Sequence, residues 1–335
     1  MVKKVIADFV TGATLLLLGV VFFGKVELFH FLAPTERIDA SVLVIEGWLS
    51  EDALEQAADE IKRNNYHQVL VTSIAHDSVF RMYSQGGLRF YLSDIESARS
   101  QQFSEIQIGA FGREAGGIQA HAKVMLNSTQ VGEFTTTAEP QWHTVSLSQP
   151  APADSITIVY DNNRRVGKED RDLFVYALRL DSLVIPARHP AVRYDRGKLD
   201  GNNVFRTDYE SLAAEATEFL VQQKVDSTIV ATLTAPAVAY ERTYASALMV
   251  KQYLPDSVQS LIVFSKSVHA RRSQLVYQRL LGKSVNVGVI AARSRSEGSD
   301  DWWKESGSRK YFLLQLAKYL YTKLFFFPSS DEPIQ

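Results

Sequence analysis

Short apolar runs alternate with helix-spaced apolar stripes near both ends of the chain, and the middle third follows a different pattern. SVLVIE (41–46) reads as a buried strand, since an unbroken apolar run suits a strand covered on both faces. Gly47, Trp48 and Leu49 then turn the chain, and Ser50 is placed to cap a helix whose first turn carries Glu51 and Asp52. Leu54, Ala57, Ala58 and Ile61 give that helix its stripe, and QVLVT (68–72) is the next strand. A strand, helix and strand in this order imply a parallel pair with a right-handed crossover. From about 101 to 185 no useful helical stripe occurs. Short β-type runs recur there at 105–111, 121–127, 132–137, 143–148, 155–161 and 173–180, separated by Gly, Asn, Pro and Asp, which argues for an antiparallel sandwich. The alternating pattern returns with Leu212, Ala216, Phe219 and Leu220 on a helix, STIVAT (227–232) as a strand, and Tyr244, Ala247, Leu248 and Leu254 on another helix. SLIVF (260–264), a helix with Val268, Leu275, Val276 and Leu280, and VNVGVI (285–290) complete the set. A last helix from about 309 to 326 has a wide apolar arc. It is expected to cover one sheet face; the alternative is a helix dipping into a membrane interface.

The fold class expected is therefore α/β: a parallel-sheet, Rossmann-like domain interrupted by an antiparallel, jelly-roll-like β-sandwich. The expected divisions are a membrane anchor and connector (1–37), a first α/β part (38–99), the insert (100–185), a second α/β part (186–327) and a polar tail (328–335).

The anchor rests on residues 5–24, VIADFVTGATLLLLGVVFFG, where Asp8 is the only charge. About 20 mainly apolar residues suffice to cross a bilayer. A cleaved secretory signal is the competing reading, but no clear small-x-small cleavage site follows the run. Lys3 and Lys4 before it place the N-terminus in the cytoplasm, although Lys25 and Arg37 oppose that assignment. The expected location is a single pass of the inner (cytoplasmic) membrane, with the body outside the cytoplasm. The net charge of −2 over 335 residues indicates no nucleic-acid partner. With no cysteine, disulfides, thiolate metal sites and cysteine nucleophiles are excluded.

Candidate chemistry gathers at strand ends, where open parallel sheets bind ligands. The strand–turn–helix at 260–281 puts Ser265 at the turn and His269, Arg271 and Arg272 at the helix start, a setting suited to an anion. A solvated basic helix face explains the same residues. Glu46 is a candidate general base or hydroxyl acceptor, or else a capping carboxylate. Gly47, Trp48, Thr72 and Ser73 share that edge as ligand contacts, with packing or turn polarity as the plainer roles. Arg242 and Thr243 start a helix, and Arg242 joins the basic cluster, which suits phosphate or pyrophosphate. Trp302 and Trp303 line the pocket or pin the final helix, the pin being preferred; Trp142 belongs by default to the sandwich core. No glycine-rich dinucleotide or phosphate loop and no nucleophile elbow is present.

VLVIEGWL (42–49), VLVTS (69–73), RTYASALMVKQYL (242–254) and IVFSKSVHARRSQLVYQRLLG (262–282) together resemble the ElyC/SanA/YdcF-like family of envelope proteins. The resemblance implies a role in envelope polysaccharide or lipid-carrier metabolism, with a lipid-linked sugar phosphate as partner; one branch implies S-adenosylmethionine binding instead. The family's Thr-x-Glu-Asn-Ala run stands here as Thr243-Tyr244-Ala245-Ser246-Ala247, so the acid in that role is either lost or replaced by Glu241; chemistry, if any, uses Glu46 or Glu241 with His269. The middle third, through HAKVMLNSTQVGEF (121–134) and ITIVYDNNRRVGKEDRDLFVYALRLDSLVI (156–185), resembles calcium-dependent xylan-binding modules. That resemblance implies glycan binding through calcium held by Asp161, Asn162, Asn163, Asp170 and Asp172. The donor chemistry agrees, because calcium takes six to eight oxygens. A polar hairpin loop with solvated charges is the alternative. Envelope glycan binding without catalysis is a further alternative.

Overall fold

The computed structural model describes residues 26–99, 101–238, 241–293, 303–304 and 306–326. The expected span at 5–24 and the tail from 328 lie outside the described residues. Among those described, no helix is long and apolar enough to cross a membrane.

After a helical stretch over 26–32, the chain forms β1 (Thr35–Glu36), β2 (Val42–Glu46), α1 (Glu51–Arg63) and β3 (Gln68–Ile74). It then runs through β4 (Phe80–Met82), β5 (Gly86–Tyr91), β6 (Gln102–Gly112), β7 (His121–Leu126), β8 (Thr129–Thr135), β9 (Gln141–Pro152) and β10 (Ser155–Tyr160). β11 (Arg165–Val166), β12 (Glu169–Asp170), β13 (Leu173–Leu180), β14 (Leu183–Pro186), β15 (Val192–Arg196) and β16 (Val204–Arg206) follow. The chain closes with α2 (Leu212–Gln222), β17 (Val230–Ala235), α3 (Arg242–Tyr253), β18 (Ser260–Lys266), α4 (Ala270–Leu281), β19 (Asn286–Ala292) and α5 (Ser306–Phe325).

Two compact units result: the chain up to Ala75 with the chain from Glu210, and His76–Tyr209. In the first, the sheet order is β1-β19-β18-β2-β3-β17, parallel throughout except for β1. Alternate strand residues feed opposite faces, as a two-residue period requires. Leu43, Ile45, Val69 and Val71 pack against α1 and α2, while Val42, Val44 and Leu70 pack against α3 and α4. That double burial is why these strands read as continuous apolar runs. Truncating Ile45, which is fully buried, to Ala would cost about 2–5 kcal/mol.

The second unit has one sheet in the order β16-β15-β5-β10-β7-β8 and another in the order β14-β13-β6-β9, with β4 on β13. All these pairings are antiparallel, and Phe90, Ile158 and Val124 meet Ile108, Val175 and Leu178 in a shared core. The sandwich is wider than the expected 100–185. β5 begins with two glycines and β15 carries three charges in VRYDR, so neither gives a clean strand pattern.

Three local expectations change. The strand expected at 227–232 starts at Val230, because Asp226 accepts hydrogen bonds from Thr228 and holds 227–229 in a 3-10 turn. Ser50 stands at the N-cap of α1, but its hydroxyl makes no capping bond. The last helix packs on α4 and on 26–32 through Phe312, Gln315, Tyr319 and Thr322, and most of its apolar arc faces outward instead of covering the sheet.

Candidate anion-binding site

The parallel strands follow the chain order β2, β3, β17, β18, β19, yet lie as β19-β18-β2-β3-β17. The chain thus works outward from β2 on one side, then returns to its other side. The order reverses between β2 and β18, and a sheet of this kind opens a crevice at their carboxyl ends. Glu46 ends β2, and Ser265 lies one residue from the end of β18.

Glu46 is 2% exposed. Its carboxyl accepts a hydrogen bond from Ser273 at 2.8 Å and a short one from Ser265. Burial raises its pKa above the usual carboxylate value, against the opposing pull of the two hydroxyls and of Arg272. His269 Nε2 lies 3.9 Å from Glu46, beyond hydrogen-bond reach. The imidazole instead donates from Nδ1 to Gln315 Oε1 at 3.2 Å, and Nε2 accepts from Arg272 at 3.2 Å. Trp48 closes its other side edge-on, with ring centroids 4.9 Å apart. Burial, then the charges of Arg272, Lys318 and Lys266, lower His269 to about 3, so the ring is neutral at physiological pH.

Arg272 reaches from this network into a cleft of about 650 Å³. Glu241, Arg242, Thr243 and Tyr244 from the start of α3, Arg272 and Val276 from α4, and Lys318, Tyr321 and Thr322 from α5 line it. Arg272 touches Thr243 Oγ1 at 3.3 Å, and its Nε is buried without a partner. Among the described residues, neither Arg242, Arg272 nor Lys318 forms an ion pair with a carboxylate. Burial and then Arg272 lower the pKa of Lys318, as two cations sharing one space require. Tyr244 N and Ala245 N donate to Glu241 O, which leaves the N–H groups of Arg242 and Thr243 at the start of α3 without a helical acceptor, an end of the helix that favours an anion. Two non-glycine residues beside the cleft network adopt left-handed backbone: Glu241 at φ 56° and Ser267 at φ 39°. Strain of this kind concentrates at functional positions.

Arg271 does not join the cleft, as the basic-cluster reading expected. It pairs with Glu36 at 2.8 Å, bonds Phe31 O and Gln274, and stacks over Phe31. Thr72 donates to Ser246 O, and Ser73 accepts from Ala213 N, so both hydroxyls hold helices to the sheet rather than facing a ligand. Gly47 also has a packing reason: an added Cβ would lie 2.5 Å from Ala213 Cα. Ser265 is fully buried with its hydroxyl on Glu46, which denies it a substrate-facing role. Glu241 stands on the cleft rim, and no hydrogen bond joins it to Glu46 or His269 among the described residues. Sequence reasoning missed Ser273, Gln315 and Lys318. Ser273 and Gln315 had a readable signal, a polar residue inside a helix's buried stripe.

In the sandwich, Asp161, Asn162, Asn163 and one oxygen of Asp172 already have protein partners. Burial alone would raise Asp161, but His121 at 2.9 Å and Lys123 at 3.1 Å outweigh it and hold the carboxyl below its usual value. Asp172 is fully buried against Arg81 at 2.7 Å, with Oδ1 unpartnered. Asn162 accepts from His121 N and donates to Gln119 O; Asn163 accepts from Tyr160; the Asp170 backbone lies opposite Arg165 across β11 and β12, and its carboxyl has no hydrogen bond or ion pair among the described residues. The carbonyls of Ala115, Ile118 and Asn162 all accept from the Arg171 guanidinium, at 2.6–2.8 Å. Among the described residues, no three His, Asp or Glu side chains gather to hold a metal. Within the loop, the Arg171 guanidinium takes up three carbonyls that a metal could otherwise use.

Trp142 is not in the core: Arg179 stacks 4.0 Å over its half-buried ring. Trp303 packs with Phe29, Leu32 and Phe312, pinning α5; Trp302 lies outside the described residues.

No protein-family model matches the chain, and no curated protein matches it. Among solved structures it is similar to a family 35 carbohydrate-binding module from an environmental isolate, at 21% identity and a TM-score of 0.17, covering 35% of this chain and 74% of that one. It is also similar to family two carbohydrate esterases. The one from Cellvibrio japonicus shows 9% identity and a TM-score of 0.21, covering 72% of this chain and 81% of that one. The one from Clostridium thermocellum, in complex with cellohexaose, shows 9% identity and a TM-score of 0.22, covering 75% and 98%. These likenesses are distant and extend to neither activity nor ligand.

Proposed function

We propose that the α/β unit is a binding site for a phosphate-bearing anion, on a chain tethered to the inner membrane through 5–24 with its body outside the cytoplasm. One observation carries the anion reading: Arg272 enters the cleft with an unpartnered Nε, beside Arg242 and Lys318, and no carboxylate pairs with any of the three among the described residues. A partly buried guanidinium whose Nε has no acceptor is unfavourable, and a phosphate adds acceptors and negative charge to the pull of Glu46. The same cations disfavour S-adenosylmethionine, whose sulfonium is positive. No reaction is assigned. Glu46 and His269 are enclosed and act by holding Arg272 in place. The envelope-family resemblance agrees with such a ligand on a lipid-carrier sugar phosphate. Titration calorimetry of the full chain with inorganic pyrophosphate tests the reading. Arg272→Ala should weaken binding at least about tenfold, roughly 1.4 kcal/mol, and S-adenosylmethionine should give no heat. Equal binding by the variant would remove the assignment.

A second reading concerns glycan. The sandwich carries a cleft of about 280 Å³ lined by Arg89, Tyr91, Arg193 and Asp195, and Asp195 Oδ1 is buried there without a partner. A carboxylate, guanidinium groups and a tyrosine suit sugar hydroxyls. Loss of glycan-array signal in Asp195→Ala, with none lost in Asp161→Ala, would support this cleft over the calcium-type loop.

A further inference from the structure

The outward face of α5 is apolar along the helix. Leu313, Leu314, Leu320, Tyr321, Leu324 and Phe325 are 46–68% exposed. On a 100° helical wheel they fall within one arc of about 140°. A soluble surface rarely leaves so continuous a patch open without a partner. The helix also carries Arg309, Lys310, Lys318 and Lys323 and no acidic residue.

We infer that this face lies in the headgroup boundary of a lipid bilayer, so that the anion cleft is presented to phosphates carried by lipids. Three observations select a bilayer as the occupant. The stretch 26–32 packs on α5 through Phe29 and Leu32, and Phe31 meets Tyr319 edge-on at 5.3 Å. In the sequence, the twenty-residue apolar run 5–24 comes directly before that stretch, with Lys25 between them. Basic residues without acidic ones, next to an apolar arc, match an anionic lipid surface. The cleft itself adjoins the arc, because Lys318 and Tyr321 on α5 line its wall and Tyr321 belongs to the exposed face. A ligand with its phosphate on Arg272 would have its apolar portion led along Tyr321 toward the bilayer. This substrate class rests on the anion reading of the cleft; the docking of α5 does not.

The chain has no cysteine, so single cysteines can carry a fluorophore without background. The full chain is reconstituted into phosphatidylcholine–phosphatidylglycerol vesicles with an environment-sensitive label at Leu313→Cys or Leu324→Cys. Val221→Cys on α2, which is 39% exposed, serves as control. The α5 labels should shift to the blue and be quenched by nitroxide-bearing lipid, while the control stays aqueous. Labels on α5 that match the control overturn the proposal. Shielding that follows protein concentration rather than lipid also overturns it, assigning the face to a second copy. In detergent, dioctanoyl phosphatidic acid should bind at least about tenfold tighter than inorganic phosphate, since its chains add apolar burial. Equal affinities overturn the lipid-borne substrate. Labels that enter the bilayer in a protein binding neither phosphate uphold the docking and overturn the cleft reading.

Discussion

The sandwich buries Arg171 and the α/β unit partly buries Arg272, and the two are held very differently. In the sandwich, Arg171 is 3% exposed and spends Nε, Nη1 and Nη2 on the carbonyls of Ile118, Asn162 and Ala115. In the α/β unit, Arg272 makes only longer contacts of 3.2–3.4 Å through one nitrogen, to Thr243 and His269, and leaves Nε unpartnered. Charge-assisted hydrogen bonds are strong when made and expensive when missing. A fully bonded guanidinium is therefore part of the fold, whereas a partly bonded one at a cleft has room for an incoming anion.

The largest expected effect follows from the fuller set of bonds. Arg171→Met keeps much of the apolar stem but removes three charge-assisted hydrogen bonds, one buried and two partly buried. It should destabilise the sandwich by on the order of 3–5 kcal/mol, read as a fall in the denaturant midpoint with an unchanged slope. Arg272→Met loses only contacts of 3.2–3.4 Å and a charge with no direct ion-pair partner among the described residues. Its stability should stay within about 1 kcal/mol of the parent, while pyrophosphate binding drops as for Arg272→Ala. If Arg272→Met destabilises as much as Arg171→Met, the contrast between the two guanidinium groups is false.

A smaller effect sharpens the α/β side. His269 is nearly enclosed and held to about 3, well below an unfolded imidazole near 6.5. Between those values the unfolded chain binds the proton and the folded chain does not. Stability contributed by neutral His269 is therefore present above about 6.5 and is lost as pH falls toward 3, by up to about 1.4 kcal/mol per pH unit. Glu46, with its pKa raised, acts with the opposite sign as pH rises above 4.5. In unfolding curves from pH 7 to pH 5, His269→Asn should flatten the acid-side decline. A variant as acid-sensitive as the parent would show that His269 is not the titrating group.

The same contrast explains how much could be read from the residues. The apolar runs at 41–46, 68–72 and 260–264 announced central strands, because both faces of the sheet are covered. The polar network was harder to see. Arg271 and Arg272 are adjacent, yet 100° apart around α4, so one reaches Glu36 and the other the cleft. Spacing favoured Arg272, which lies four residues before Val276 and eight before Leu280, along the buried stripe. Lys318 and Gln315 arrive from a helix about 45 residues later, and no local pattern links them to His269. The calcium expectation came from the resemblance to calcium-dependent modules, and the loop's oxygens agreed with it. Arg171, a cation inside that loop, makes three bonds that depend on how distant turns come together, which no local pattern shows.

The smallest expected effect bears on that last point. If the guanidinium of Arg171 fills the carbonyl cage, added calcium has no vacant set of six to eight oxygens to occupy. Millimolar calcium, or its removal by chelator, should then move the unfolding midpoint by an amount equivalent to less than about 0.5 kcal/mol. The parent protein is the right subject, because Arg171→Met would disturb the cage whether or not a metal competes for it. A shift of several degrees with calcium would mean that the ion displaces Arg171 or draws Asp161 and Asp172 from their present partners to join Asp170. Arg171 would then be a substitute for the metal, and its likeness to a fixed structural member would fail. Magnesium separates the two causes, since ionic strength alone would act alike for both ions, while an oxygen cage of calcium size would not.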